Sequence, residues 1–197
     1  MPGPRKPALR AKYEQRQADV IRDAAHVLAE HGYDQTSVPE LAEAVGLAAG
    51  GLYHYFQSKD DLLGRICEQL MDPLLDEARL VLEEETDPER ALRDLVRAWV
   101  AHVVEHRDHM LVFQQERHQI EAEQRWSAVR DSRKAFERLL EAALAALEAA
   151  QPVHYRDRRV AVAALLGMVN HTPQWYRPGG RLTPKRLADG YVDLVVG

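Results

Sequence analysis

The chain has 197 residues, 46% of them hydrophobic and 29% charged, and a formal net charge of −5. That length gives one domain or two small ones a buried core, and the balanced composition excludes a disordered or collagen-like chain. A single cysteine, Cys67, excludes an intrachain disulfide, argues against a cysteine-based zinc site and points to a reducing, intracellular setting.

Charge is uneven along the chain. Residues 1–22 hold six basic groups (Arg5, Lys6, Arg10, Lys12, Arg16 and Arg22) and two acids, a local +4 that leaves −9 on the remainder. Such asymmetry fits a basic arm on an acidic body, and on charge alone a solvated tail equally. Helix signals follow. Val20, Ile21, Ala24, Ala25 and Leu28 recur at helical spacing, and Gly32 supplies a stop. Ser37-Val38-Pro39-Glu40 has the pattern of a capping box, with Pro39 in the first turn, and starts a helix that ends at Gly46. A short helix is predicted over Ala48–Tyr55, and a third begins at Ser58-Lys59-Asp60-Asp61, with Ser58 as cap.

Helix, glycine-containing turn and short helix form a helix-turn-helix pattern. The first helix crosses the phosphate backbone and the second enters a major groove about 12 Å wide. Two glycines and two alanines over Ala48–Gly51 leave that second helix slim, and Tyr53, His54 and Tyr55 follow with hydrogen-bonding tips.

Longer helices are predicted over Leu62–Leu82, Pro88–His106, Asp108–Ile120, Glu123–Ala149, His154–His171 and Pro184–Val196, with a break from Pro173 to Pro184. Within the fourth, Trp126, Val129, Arg133, Phe136, Leu140, Ala143 and Leu147 make a core stripe with Arg133 as its polar member. Val160–Val169, the longest mostly apolar run, is far shorter than the roughly 18 residues of a membrane span. Met1–Gln17 is basic and lacks an apolar centre, so a cytoplasmic protein without membrane contact is expected.

Residues 16–66 resemble the DNA-binding domain of TetR-type transcriptional regulators. The similarity runs through Ala24-Ala25, Gly32-Tyr33, Thr36-Ser37-Val38, Leu41-Ala42, Gly46-Leu47, Gly50, Leu52-Tyr53-His54-Tyr55-Phe56 and Ser58-Lys59-Asp60-Asp61-Leu62-Leu63. The resemblance implies that Thr36 and Ser37 meet phosphates, that Tyr53 and His54 reach backbone or bases, and that Lys59 binds a phosphate. Leu41, Leu52 and Phe56 are expected in the core. Ala48 and Gly51 stand where the family commonly has serine or threonine, so base choice would lean on Ala48 and Ala49 against thymine methyls, on the arm, or on DNA shape.

A second resemblance, to regulators of fatty-acid, phenylacetate and steroid-ring breakdown with acyl-CoA effectors, rests on Phe113-Gln114-Gln115-Glu116, the Trp126–Arg138 run and Trp175-Tyr176-Arg177-Pro178-Gly179-Gly180-Arg181-Leu182-Thr183-Pro184. It implies an acyl tunnel lined by Trp99, Val103, Met110, Phe113 and Met168, with Gln114 and Trp175 nearby. Arg130, Arg133, Lys134 or Arg177 would neutralise CoA phosphates. The plainer reading of the Trp175 segment is a rigid loop before a helix capped by Thr183.

His102, His106 and His109 share one helix face, and His118 lies nearby. Zinc could bind such a pair, but a third ligand of fixed placement is missing, so pocket or surface roles, with His106 facing the ligand, are expected. No cofactor is expected, and no phosphate loop, nucleophile elbow or HExxH motif supports catalysis. The whole reads as an all-α protein. Residues 1–64 would form the arm and three-helix helix-turn-helix domain; residues 65–197 would form an antiparallel helical ligand-binding and dimerisation domain. Its homodimer, packed through the last two helices as the family implies, would bind a pseudo-palindromic operator in double-stranded DNA and release it on binding a small-molecule effector, an acyl-CoA. A regulator of a different hydrophobic ligand, and a helical small-molecule binder without DNA function, are the alternatives.

Overall fold

Capping residues set most helix starts in the computed structural model, which describes residues 7–197. Arg5 and Lys6 of the expected arm, and the side chain of Ala49, lie outside the described residues. The helices are α1 (Pro7–His31), α2 (Val38–Ala44), α3 (Ala49–Leu52), α4 (Lys59–Glu84), α5 (Pro88–Glu105), α6 (Arg107–Gln115), α7 (Arg117–Ala122), α8 (Ser127–Ala150), α9 (Arg158–Trp175) and α10 (Pro184–Val196), with a 3₁₀ turn at Gln124–Trp126. Ser37 and Glu40 close the expected capping box of α2 from both sides. Ser58, Asp87, Asp157 and Thr183 each accept from an early backbone N–H of the following helix. Gly32 and Gly46 end α1 and α2 at φ of 86° and 69°, a region that L side chains avoid.

Several boundaries differ from expectation. From Pro7 onward the basic stretch is the first part of α1 rather than a separate arm. The Asp108–Ile120 segment is two helices meeting at Glu116, and α8 is preceded by the 3₁₀ turn. α9 starts four residues later than predicted and runs through Pro173 to Trp175. Side chains supply donors to the carbonyls of that last stretch. Thr172 Oγ1 donates 3.0 Å to the Met168 carbonyl, Gln114 Nε2 donates to the Asn170 carbonyl, and Arg107 Nε donates 3.0 Å to the Pro173 carbonyl. The expected division at 64/65 falls inside α4, which is continuous.

One connected core runs from α1 to α10. Leu41, Leu52 and Phe56 are buried in it as expected, with Val20, Ala24 and Leu28 of α1 and Leu62 and Leu63 of α4. The α8 stripe is buried from Val129 to Leu147 apart from Arg133, and Trp126 joins it from the 3₁₀ turn. α5 packs between α4, α8, α9 and α10, and α6 packs on α1. On the last two helices Ala161, Leu187 and Tyr191 are buried within the chain, whereas Ala163 and Gly167 of α9 are exposed and Leu194 of α10 is 79% exposed.

Candidate nucleic-acid interface and internal cavity

The helix-turn-helix face is built on α2 and α3. Ser37 is exposed, but its hydroxyl faces the Glu40 amide at 3.4 Å while its own N–H donates 2.6 Å to Glu40 Oε2. Thr36 departs from its expected phosphate role. It is 3% exposed, and its hydroxyl donates 2.8 Å to the Gly32 carbonyl, closing the turn after α1. α3 is a single turn: Ala48 stands at its N-cap without a side-chain bond, and a Cβ at Gly51 would meet Leu47 Cβ at 3.6 Å. Beyond α3 the chain turns, presenting Tyr53 at 56% exposure and an exposed His54.

Lys59 opens α4. Its ammonium donates to the Tyr33 carbonyl and lies 4.2 Å over the Tyr33 ring. The Tyr33 hydroxyl in turn donates 2.6 Å to Asp60 Oδ1, and burial with that carboxylate pushes its pKa up. Lys59 is thus already engaged by the chain itself, with two N–H groups left over. Arg16 is exposed on α1 and makes no ion pair among the described residues.

Inside the body lies a cavity of about 450 Å³. Leu70, Met71 and Leu74 of α4, Trp99 and Val103 of α5, Met110 and Phe113 of α6 and Phe136 of α8 make its apolar wall. Trp99 and Phe136 meet edge to face at 4.7 Å. Its polar side holds Gln114, Arg117, Arg133, Glu137, Asn170, His171 and Gln174, and α9 completes it with Ala163, Leu166 and Gly167. Five expected ligand residues are therefore brought together here, namely Trp99, Val103, Met110, Phe113 and Gln114, and Arg133 makes a sixth. The contributions of α4 and α9 carry no distinguishing signal in the sequence; the small-residue spacing Ala163–Gly167 is visible there but suits a subunit contact equally.

Other expected ligand residues lie elsewhere. Arg130 donates 2.7 Å to the Ile120 carbonyl and 2.6 Å to that of Glu123, tying off the end of α7. Lys134 is exposed on the outer side of α8 and Met168 is half-buried outside the cavity lining. Trp175, 45% exposed, packs against Tyr176, and Arg177 donates 3.1 Å to the Tyr176 carbonyl, also outside the lining. Even Arg133 is committed: it pairs with Glu121 at 2.9 Å and with Glu137, while its Nε is buried without a partner.

The histidine rings pack on one another, His106 stacked on His102 and edge-on to His109. His106 lies 4.1 Å from His102 and 5.6 Å from His109, ring to ring, and does not line the cavity. His102 Nε2 lies 2.6 Å from the Leu70 carbonyl, and His109 Nε2 lies 3.0 Å from Gln69 Oε1. Burial and the neighbouring His106 push both pKa values down, that of His109 to about 4. His118 is exposed, and no group of three or more metal-ligating side chains comes together among the described residues. Burial holds the Cys67 thiol up at about 12, far from a reactive thiolate. No helix is long and apolar enough to cross a membrane among the described residues.

Two family profiles match the chain: residues 20–66 match "Bacterial regulatory proteins, tetR family", and residues 85–197 match "Tetracyclin repressor-like, C-terminal domain". The HTH-type transcriptional repressor KstR2 of Mycobacterium tuberculosis strain H37Rv is 25% identical over 186 residues, covering 92% of each chain. Among solved structures, the regulator PfmR from Thermus thermophilus is similar with a TM-score of 0.79 and 29% identity, covering 90% of this chain and 96% of that one. AibR, solved in complex with isovaleryl coenzyme A and operator DNA, is similar with a TM-score of 0.78 and 26% identity, covering 92% of this chain and 98% of that one.

Proposed function

The chain belongs to the TetR family of bacterial transcription regulators, and on that premise we propose that it is a homodimeric repressor released from its operator by an acyl-CoA thioester. The observation that carries the effector reading is the cavity: an apolar wall that includes Trp99 and Phe136, with amides and Arg117 on its polar side. An acyl chain gains from apolar burial at about 25 cal/mol per Å², while a thioester carbonyl needs donors such as the Gln114 and Gln174 amides. AibR, similar over nearly its whole length, takes isovaleryl coenzyme A. In this reading Arg117 serves the nucleotide part of the effector, since Arg130, Lys134 and Arg177 stand away from the cavity.

On the DNA side, Ser37, Lys59 and Arg16 would meet phosphates, and Ala48, Ala49, Gly51, Tyr53 and His54 would face the major groove. Two copies, joined through the outward faces of α9 and α10 around Leu194, would bind a pseudo-palindromic site in double-stranded DNA. The protein would act in the cytoplasm, with no cofactor and no catalytic step.

A second reading is favoured by one observation. Arg133 carries two carboxylates, Glu121 and Glu137, so the polar side of the cavity is not strongly cationic. That suits an uncharged or cationic hydrophobic effector. Thermal shift against free CoA, short and bulky acyl-CoAs and uncharged hydrophobic ligands separates the two. Thioester-specific stabilisation, with release of a DNA duplex in a gel-shift, is the expected result. Equal response to free CoA and every thioester, or stabilisation by uncharged ligands alone, overturns the acyl-CoA reading.

A further inference from the structure

α1 begins well before the core it serves. Among the side chains described from Leu9 onward the first buried one is Val20, so residues 9–19 run roughly 16 Å ahead of the fully packed part of the helix. Only two side chains of that stretch make hydrogen bonds to other elements among the described residues. Tyr13 Oη donates 2.6 Å to the His54 carbonyl, and Gln17 Nε2 donates 2.9 Å to the Tyr55 carbonyl. The rings of Tyr13 and Tyr55 also stack, 5.8 Å apart and 20° from parallel. Tyr13 and Gln17 are four residues apart and so share one face of α1.

The backbone leaves both acceptors unused. α3 is one turn long and the chain leaves it through backbone bonds from the amides of His54, Tyr55 and Phe56 to Gly51 and Leu52. No backbone N–H among the described residues reaches the His54 or Tyr55 carbonyl. They lie in the turn after α3, and a segment of two glycines and two alanines offers few side-chain atoms to hold that turn in place.

We propose that Tyr13 and Gln17 are positioning residues for sequence-specific DNA binding: a clasp from the N-terminal extension of α1 that fixes the exit of the groove-reading turn, and with it Tyr53 and His54. The clasp rests on the DNA-binding reading above. It also couples two surfaces, because the same contacts set the rotation of α1 and hence where Lys12 and Arg16, in the neighbouring row, stand relative to α3. Neither of these cations makes an ion pair among the described residues. The clasp would compensate for the missing hydroxyls at Ala48 and Gly51, holding rigid a reading segment that has few donors of its own.

The test uses the full chain with Tyr13→Phe, which keeps the stack and removes the donor, and Gln17→Met, which keeps the volume and removes the amide. The probes are a duplex that the wild-type protein selects from a randomised pool and an unrelated duplex of equal length. Each variant is expected to lose about three- to tenfold in affinity for the selected duplex, the worth of one hydrogen bond, with unchanged binding to the unrelated one, unchanged salt slope and a melting midpoint lowered by no more than about 4 °C. Hydrogen exchange of the peptide spanning residues 51–57 in the free protein is expected to speed up. Equal loss on both duplexes with a shallower salt slope would make Tyr13 a phosphate contact and overturn the clasp. A midpoint lowered well beyond that with weaker binding to both duplexes, or an unchanged preference for the selected duplex, would overturn it too. A wild-type protein that selects no duplex would sink the DNA-binding reading itself, whatever the exchange rates.

Discussion

His26 Nδ1 lies 2.9 Å from Asp108 Oδ2, joining α1 of the helix-turn-helix domain to α6 of the body. α6 also reaches α1 through Gln115 Nε2, 3.2 Å from the Ala29 carbonyl, and turns Met110, Phe113 and Gln114 into the cavity. The bond to Asp108 pushes the His26 pKa up. Its contribution to stability is therefore present below the unfolded histidine value and is lost as pH rises through the folded one. Asp108→Asn is expected to bring the His26 titration, followed by NMR, back toward the ordinary histidine value, and to shrink the effector's influence on DNA affinity. An unchanged His26 titration would show that the pair is not formed in solution.

His102 and His109 work in the opposite sense. Both are buried and resist protonation, whereas in the unfolded chain they titrate near 6.5. The unfolded state then binds more protons, so stability falls as pH falls below about 6.5. From the His109 value of about 4, that residue alone is expected to remove about 2 kcal/mol between pH 7.5 and pH 5. Urea denaturation at the two pH values measures it, and His109→Gln should flatten the difference.

Gly167 lies within α9 with nothing within 4 Å of where its Cβ would stand. Gly167→Ala is expected to raise stability by about 1 kcal/mol and the melting midpoint by about 2–4 °C through helix propensity. A fall in the midpoint together with dissociation in sedimentation would place the partner subunit directly against that residue.

Trp99→Ala is expected to cost about 3–5 kcal/mol in urea denaturation, because the ring is buried against Phe136 and leaves a hole continuous with the cavity. Among effectors that stabilise the wild type, the variant should shift preference toward bulkier ones in thermal-shift titration. A loss below about 1 kcal/mol would mean that the cavity already collapses around the site.

Much of this architecture is readable from local signals, and the misses have local reasons. Ser37, Ser58 and Thr183 announce their helices because a cap acts within four residues of the chain. The break at Glu116 carries no glycine or proline, and Pro173 looks like a stop only until the donors brought by Thr172, Gln114 and Arg107 are seen. Apolar cavity residues on α5 and α6 are legible from their chemistry. Their partners Leu70 and Leu74 look like any core leucine in sequence, and only packing separates wall from core. The basic residues are the poorest guides. Arg130 and Arg133 differ by three positions in one run, yet the first ties off a helix end and the second is held by two carboxylates. Thr36 misleads because a hydroxyl beside a turn can serve its own backbone as readily as a phosphate.

The unbroken α4 has a mechanical consequence. Its 26 residues span about 39 Å, and the eleven helical steps from Lys59 to Leu70 separate its N-terminal end from the cavity wall by about 16 Å. Treated as a stiff lever pivoting at the wall, α4 turns a tilt of about 10° into about 3 Å of travel at Lys59. Two reading heads must match half-sites about 34 Å apart. A displacement of that size in each subunit, started by a ligand leaning on Leu70 and Leu74, is enough to put a dimer out of step with its DNA.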